Sequence, residues 1–221
     1  MKAMLLAAGK GKRMLPLTQS TPKPLLTIDG EPMIVRHIKH LVADGITDIV
    51  INVHYLADTL MQALGDGSQW GARITFSDER LCKGALETGG GIIHALPLLG
   101  EDPFILVAAD IVTDFPFGSL KNHFNTEKLG HLVLVDTPPF HPEGDYGLKY
   151  GIVDLNASKK YNFAGICVLH PKMLSELPPQ EMRLSSLFRP HIEAGHLSGE
   201  HYPGMWQNIG TPELLANAQQ H

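Results

Sequence analysis

Leu5-Leu6-Ala7-Ala8-Gly9-Lys10-Gly11-Lys12-Arg13-Met14-Leu15-Pro16-Leu17-Thr18, with Pro22-Lys23-Pro24-Leu25 close behind, is the stretch that decides the fold. A short apolar run reads as a buried strand, and it stops at two glycines with cations around them. Glycine at a strand end lets the backbone come close to an anion, and successive N–H groups form a concave anion site. Arg13 can grip phosphate oxygens bidentately, and Lys23 adds a mobile point charge. A lone Gly-x-Gly would be a βα turn with solvated lysines. The whole stretch, with Pro22-Lys23-Pro24, points instead to a polyphosphate site.

Two familiar phosphate loops are excluded. A dinucleotide fingerprint starting at Gly9 needs glycine where Met14 stands. A Walker A loop ending at Gly11-Lys12 needs glycine at position 6 and Ser or Thr at position 13, which are Leu6 and Arg13.

The 221 residues, 43% of them hydrophobic, are enough for one elaborated domain over 1–221. A net charge of −5 argues against a nucleic-acid binder that relies on a basic surface. The two cysteines, Cys82 and Cys167, lie far apart and suit reduced thiols. The apolar residues 3–8 run straight into Gly9-Lys10-Gly11-Lys12-Arg13, so no signal peptide is expected, and no run approaches membrane-spanning length. The expectation is a cytoplasmic protein without a membrane or nucleic-acid partner, a monomer or weak homo-oligomer.

Met33, Ile34, Ile38, Leu41 and Val42 share one helical face over residues 31–44, and Gly45 supplies a stop. The β-branched run over 46–53 predicts a buried parallel strand. A helix over 56–64, a strand over 73–77, a helix over 88–96 and a hydrophobic strand over 103–109 follow. This alternation predicts an α/β fold: a Rossmann-like, mainly parallel mixed sheet with helices on both faces. Ligands then bind beyond the carboxyl ends of the strands, where the first loop and Asp110 would share a rim. From about residue 132 the rhythm changes. Segments 131–136, 148–155, 163–169 and 204–209 read as a more antiparallel extension completing the sheet, with helices near 184–194 and 213–219. The turn-rich 138–145 segment is a candidate mobile flap.

Asp110 closes the hydrophobic strand, either as a turn or cap aspartate or as a partner for a cation. His37 and His40 lie three residues apart on a helix without a third ligand, so they read as solvated. His191, His196 and His201 lack metal-ligand spacing. No Ser or Cys stands in a nucleophile-elbow context.

The pattern L-A-A-G-x-G-x-R-M-x-P-L-T…P-K-P-L resembles the signature of sugar-1-phosphate nucleotidyltransferases. That resemblance implies a GT-A-like fold with a nucleotide-binding half over 1–130 and a sugar-binding half over 131–221. The partners it implies are a nucleoside triphosphate and a sugar 1-phosphate, with Mg2+ as cofactor. It makes Arg13 and Lys23 catalytic, on the leaving pyrophosphate and on the α-phosphate or sugar phosphate. Leu6, Ala7, Ala8, Gly9, Gly11, Glu87, Thr88 and Gly89 would line the nucleotide, and Glu79 could accept from a pyrimidine N3–H. Gly147, Asn162 and Gly165 would line the sugar, although Phe163 stands where the family often has a polar residue. Asp110 becomes a metal ligand. The second comes from Trp206-Gln207-Asn208-Ile209-Gly210-Thr211, resembling W-x-D-x-G-T with Asn208 at the aspartate's place. The E-T-G-G-G wording at 87–91 and residues 197–202 are similar to the N-acetylmuramate-1-phosphate uridylyltransferase branch, implying UTP and a cell-wall recycling step. A mannose-1-phosphate guanylyltransferase or another hexose-1-phosphate enzyme is the runner-up. An inactive nucleotide- or sugar-binding domain is the reading from a different class. No hexapeptide repeats follow, so the β-helix domain of some family members is not expected.

Overall fold

The computed structural model describes residues 1–82, 84, 86–123, 127–174 and 176–219. In chain order the first half contains β1 (Ala3–Leu6), the small hairpin β2 (Thr27–Ile28) and β3 (Glu31–Pro32), and α1 (Met33–Ala43). It continues with β4 (Asp48–Val53), α2 (Ala57–Leu64), β5 (Arg73–Asp78), α3 (Glu87–Leu99), β6 (Phe104–Ala108), β7 (Ile111–Thr113) and α4 (Leu120–His123). The second half adds β8 (Gly130–Val135), β9 (Gly147–Lys149), β10 (Ile152–Asp154), β11 (Asn162–Leu169) and α5 (Leu184–Glu193). It closes with β12 (Leu197–His201), β13 (Trp206–Asn208) and α6 (Pro212–Ala218).

Nine strands form one sheet in the order β5-β4-β1-β6-β11-β8-β12-β10-β9. The first four are parallel, joined through helices, as the apolar runs of β1 and β4 require when both faces are covered. β11 lies antiparallel between β6 and β8, so the mixed character begins where the alternation of strand and helix lapses. Successive residues point to opposite faces, which divides the core in two. Leu5, Ile51 and Val107 meet α1 and α2 on one face, through Ile38, Leu41 and Leu60. Met4, Val50 and Leu106 meet α3 and α5 on the other, through Ile92, Leu187 and Phe188.

A third cluster gathers Met14, Ile28, Met33, Ile209 and Leu215. It ties the turn that carries Arg13 to the C-terminal segment that carries Asn208, although almost the whole chain separates them in sequence.

Several expectations are corrected. The 204–209 segment does not complete the main sheet. β12 does so beside β8, and the chain then passes Pro203-Gly204 before β13 pairs with β7, matching Asn208 with Ile111. The 148–155 segment is a hairpin, broken at Tyr150-Gly151, where both residues take positive φ (53° and 76°). The helix expected at 88–96 runs over Glu87–Leu99 and takes three glycines into its first turns. His37 is not solvated: it is buried, and its Nε2 donates to Ile111 O at 2.9 Å. Burial pushes its pKa down to about 4, so the imidazole is neutral in the fold. His40 is half-buried, its ring 4.7 Å from that of Phe117.

Candidate active site

The loop leaving β1 forms one wall of a cavity of about 360 Å³ at the carboxyl ends of the parallel strands. Leu6, Ala7, Ala8 and Gly9 line it, joined by Lys10, Lys23 and Asp110. A Cβ on Gly9 would meet nothing within 4 Å, so no packing within the chain requires glycine there, and the missing side chain leaves the cavity mouth open. Gly11 plays another part. Its φ of +58° begins a tight turn, and a Cβ would stand 2.9 Å from Thr18 Cγ2. Thr18 Oγ1 donates to Gly11 O at 2.9 Å, and Tyr55 OH donates to Thr18 O at the same distance, bracing the loop from behind. Gly11 is therefore a hinge of the loop and not part of the cavity wall.

The far corner of this cavity holds Asn52, His54 and Glu79. Asn52 Oδ1 accepts the Ala7 amide at 2.7 Å, and Asn52 Nδ2 donates to Glu79 Oε1 at 2.7 Å. Glu79 follows the last residue of β5. It is buried, and that burial pushes its pKa up, opposed by the Asn52 hydrogen bond. A Cβ on Gly91 would lie 2.5 Å from Glu79 Oε1, so this oxygen is closed in by Asn52 and Gly91, leaving Oε2 as the oxygen open to a ligand. His54 Nδ1, shielded from solvent, has no hydrogen-bond partner among the described residues.

Leu86, Glu87 and Thr88 complete the rim, with Glu87 at φ +55°, a conformation that costs a residue with a Cβ about 1–2 kcal/mol. Gly89 does not line the cavity. Its N–H, like that of Gly90, donates to Met182 O, and a Cβ on Gly90 would fall 2.0 Å from Gln180 O. The glycines of α3 thus admit a crossing backbone segment and the Glu79 carboxylate.

Lys23 and Asp110 meet where the first cavity ends, Nζ to Oδ2 at 2.5 Å, with Lys23 only 11% exposed. A second cavity, of about 250 Å³, shares Ala108 with the first, whereas Lys23 and Asp110 line the first alone. Arg13, Asn162, Phe163, Gly165, Trp206 and Asn208 line it, together with Phe140 from the 138–145 segment. The β7–β13 ladder brings Asn208 beside Asp110: Ile209 N donates to Asp110 O at 2.8 Å. A Cβ on Gly210 would come within 3.1 Å of Asn208 Oδ1 and 3.4 Å of Arg13 Nη1, so that glycine lets the two approach. Gly165 sits in the irregular stretch of β11 at φ +75°, packed against Ala108. Gly147 lines neither cavity; it packs in β9 beneath Ala157 and Lys159.

A carboxylate and an amide oxygen, without thiolate or imidazole, are donors suited to a hard cation such as magnesium. Among the described residues no group of three or more His, Cys, Asp and Glu could hold a metal ion alone. Such a cation would complete its shell with phosphate oxygens and water, as magnesium does. Two cavities that share Ala108, with Lys23 in the wall of the first and Arg13 in that of the second, can hold two polyanions side by side.

Lys10, Asn52, His54, Phe140 and Phe163 line the two cavities although no motif in the sequence marks them as site residues. Asn52 carried a signal, being the one amide in the apolar run Ile46-Thr47-Asp48-Ile49-Val50-Ile51-Asn52-Val53. A polar side chain there needs a buried partner. Cys82 and Cys167 are free thiols. Among the described residues no helix is long and apolar enough to cross a membrane.

The Nucleotidyl transferase family model matches residues 2–160. The chain is 40% identical, over 99% of its length and 97% of the relative's, to the N-acetylmuramate alpha-1-phosphate uridylyltransferase of Neisseria meningitidis serogroup B. It is 34% identical, over 98% of its length and 95% of the relative's, to the protein of the same name from Caulobacter vibrioides. Its fold is shared by the crystal structure of HddC from Yersinia pseudotuberculosis, at TM-score 0.82 and 20% identity, covering 99% of this chain and 98% of that one. The chain belongs to the nucleotidyl transferase family, among its sugar-1-phosphate nucleotidyltransferases.

Proposed function

We propose that this enzyme transfers the uridylyl group of UTP to N-acetylmuramate 1-phosphate, forming the UDP-sugar and releasing pyrophosphate. The observation that carries the reading is the Lys23–Asp110 pair in the wall of one cavity, with Arg13 and Asn208 lining a second that shares Ala108 with it. Two relatives that align along nearly their whole length carry this activity in their names. In this reading residues 1–130 seat the nucleotide and residues 131–221 the sugar.

A sugar-phosphate oxygen attacks the α-phosphorus, and the bond from that phosphorus to the β-phosphate's bridging oxygen breaks. The attacking phosphate is already largely ionised at neutral pH, its second pKa being near ~6, so no general base is needed. Positioning and charge neutralisation remain as the protein's task. Lys23 steadies the α-phosphate or the sugar phosphate, and Arg13 the leaving pyrophosphate. Asp110 and Asn208 would hold magnesium, which when bound neutralises phosphate charge. Glu79 accepts the uracil N3–H at the far corner, while Leu6 to Gly9, Glu87 and Thr88 enclose the nucleotide. Asn162 and Gly165 border the sugar.

The test is pyrophosphate release from four nucleoside triphosphates, each paired with several sugar 1-phosphates. Turnover confined to UTP with N-acetylmuramate 1-phosphate supports the reading. Turnover with GTP and mannose 1-phosphate would replace it with a guanylyltransferase, and binding without turnover with a sensing domain.

A further inference from the structure

We propose that Phe140 selects the acceptor, favouring a hexose 1-phosphate that carries an acetamido group and a lactyl ether over an unsubstituted hexose 1-phosphate; this rests on the sugar-phosphate reading above. The second cavity has three aromatic rings in its wall: Phe140, Phe163 and Trp206. Their side chains offer a sugar no free hydrogen-bond donor, because Trp206 Nε1 already donates to Ala164 O at 2.8 Å. Asn162 directs one amide N–H to Phe163 O at 2.9 Å, which leaves its second N–H and its carbonyl oxygen for a ligand. Arg13 and Asn208 are the other polar side chains of the wall, so a hexose with all its hydroxyls free would leave those facing the rings unpaired once water is displaced, which is costly. The acetamido methyl and the methyl of the lactyl ether would instead lie against ring faces and edges, while the acetamido N–H has Asn162 Oδ1 and the lactyl carboxylate has Arg13 within the same wall.

Phe140 is the ring of this set that lies mostly in the open, 59% exposed. Its loop is nevertheless fixed to the sugar strand. Asp145 Oδ2 accepts the Phe163 amide at 2.8 Å, and Asp145 Oδ1 pairs with His141 Nε2 at 3.1 Å. Backbone bonds from His141 to Pro138 and from Gly144 to His141 close the turn. One carboxylate therefore sets the residue following Phe140 against the residue that lines the cavity floor. A large aromatic ring held beside the acceptor cavity supplies contact area that only a substituted sugar can use.

The experiment measures kcat and KM for three acceptors, N-acetylmuramate 1-phosphate, N-acetylglucosamine 1-phosphate and glucose 1-phosphate, at saturating UTP. It compares the wild type with Phe140→Ala and Phe140→Leu. The wild type is expected to prefer N-acetylmuramate 1-phosphate. Phe140→Ala should lower kcat/KM for it by about tenfold, through KM, as loss of an apolar pocket contact does. KM for UTP should stay unchanged, the loss with glucose 1-phosphate should be clearly smaller than that with N-acetylmuramate 1-phosphate, and Phe140→Leu should restore part of the loss. A wild type that prefers glucose 1-phosphate overturns this inference and the proposed substrate together. A wild type that prefers N-acetylmuramate 1-phosphate, with Phe140→Ala losing equally on all three acceptors or on none, overturns the role of Phe140 alone.

Discussion

Asn52 and Glu79 meet at the far end of the nucleotide cavity, Nδ2 to Oε1 at 2.7 Å, while Asn52 Oδ1 holds the Ala7 amide at 2.7 Å. One side chain thus ties the carboxyl ends of β1 and β4 to the residue that follows β5. If Glu79 reads the base, Asn52 sets its orientation. Asn52→Asp keeps an acceptor for Ala7 but faces one carboxylate with another. Steady-state kinetics should show KM for UTP raised on the order of tenfold, with KM for the sugar 1-phosphate unchanged. Equal loss in both substrates would make Asn52 a general structural residue instead.

The same corner predicts a pH dependence. Burial raises the Glu79 pKa and the Asn52 hydrogen bond opposes that rise. As pH falls through the raised value the carboxylate takes up a proton, accepts hydrogen bonds less well, and KM for UTP should increase. Asn52→Leu removes the opposing bond, so the inflection should move to higher pH. Glu79→Gln has nothing to titrate there. An inflection that survives in Glu79→Gln would assign the effect to another group.

Lys23 and Asp110 compensate each other's charge in the wall of the first cavity, the lysine nearly buried. Lys23→Ala and Asp110→Ala should each lower pyrophosphate release by about 100-fold or more, with circular dichroism unchanged. Chelation of divalent metal should stop turnover of the wild type. Asn208→Asp adds a formal charge to the donor set and should lower the magnesium concentration needed for half-maximal rate. Near-normal turnover by either alanine variant would remove that residue from the chemistry.

His37 is neutral in the fold, with a pKa lowered to about 4 by burial, whereas the unfolded chain protonates near ~6.5. Between those values the unfolded state binds the extra proton. Stability from this group is therefore fully present above about pH 6.5 and declines as pH falls toward 4, by about 3 kcal/mol in all. His37→Leu leaves Ile111 O without its donor and should cost about 1–3 kcal/mol at pH 7. Its further loss on acidification to pH 4.5, read by urea denaturation, should be smaller than that of the wild type. A larger loss would place the acid-sensitive group elsewhere.

Two neighbouring glycines should respond differently. A methyl on Gly91 meets the Glu79 carboxylate at 2.5 Å, whereas one on Gly90 meets the Gln180 carbonyl at 2.0 Å. Gly91→Ala should raise KM for UTP with little change in melting temperature. Gly90→Ala displaces backbone and should destabilise by about 1–3 kcal/mol, the usual range for overpacking. Indistinguishable melting and kinetics in the two variants would refute the division of roles.

The sequence by itself determined the parallel half of the sheet, because the apolar runs of β1, β4 and β6 separated by helices leave few other arrangements. It also set Gly9, Arg13 and Lys23 close together along the chain, and the fold puts Gly9 and Lys23 in the wall of one cavity and Arg13 in that of the second. Only the tertiary structure decided which glycines serve the cavity and which serve packing. Gly9 faces open space, while Gly89, Gly90 and Gly147 accommodate backbone or side chains brought from elsewhere in the chain. The burial of His37 and the Asn52–Glu79 bond were equally beyond reach, because each depends on a partner more than 25 residues away. Local periodicity reports the face a residue occupies on its own element. What lies against that face follows from packing of the whole chain, as does the meeting of Arg13 with Asn208 through the cluster of Met14 and Ile209.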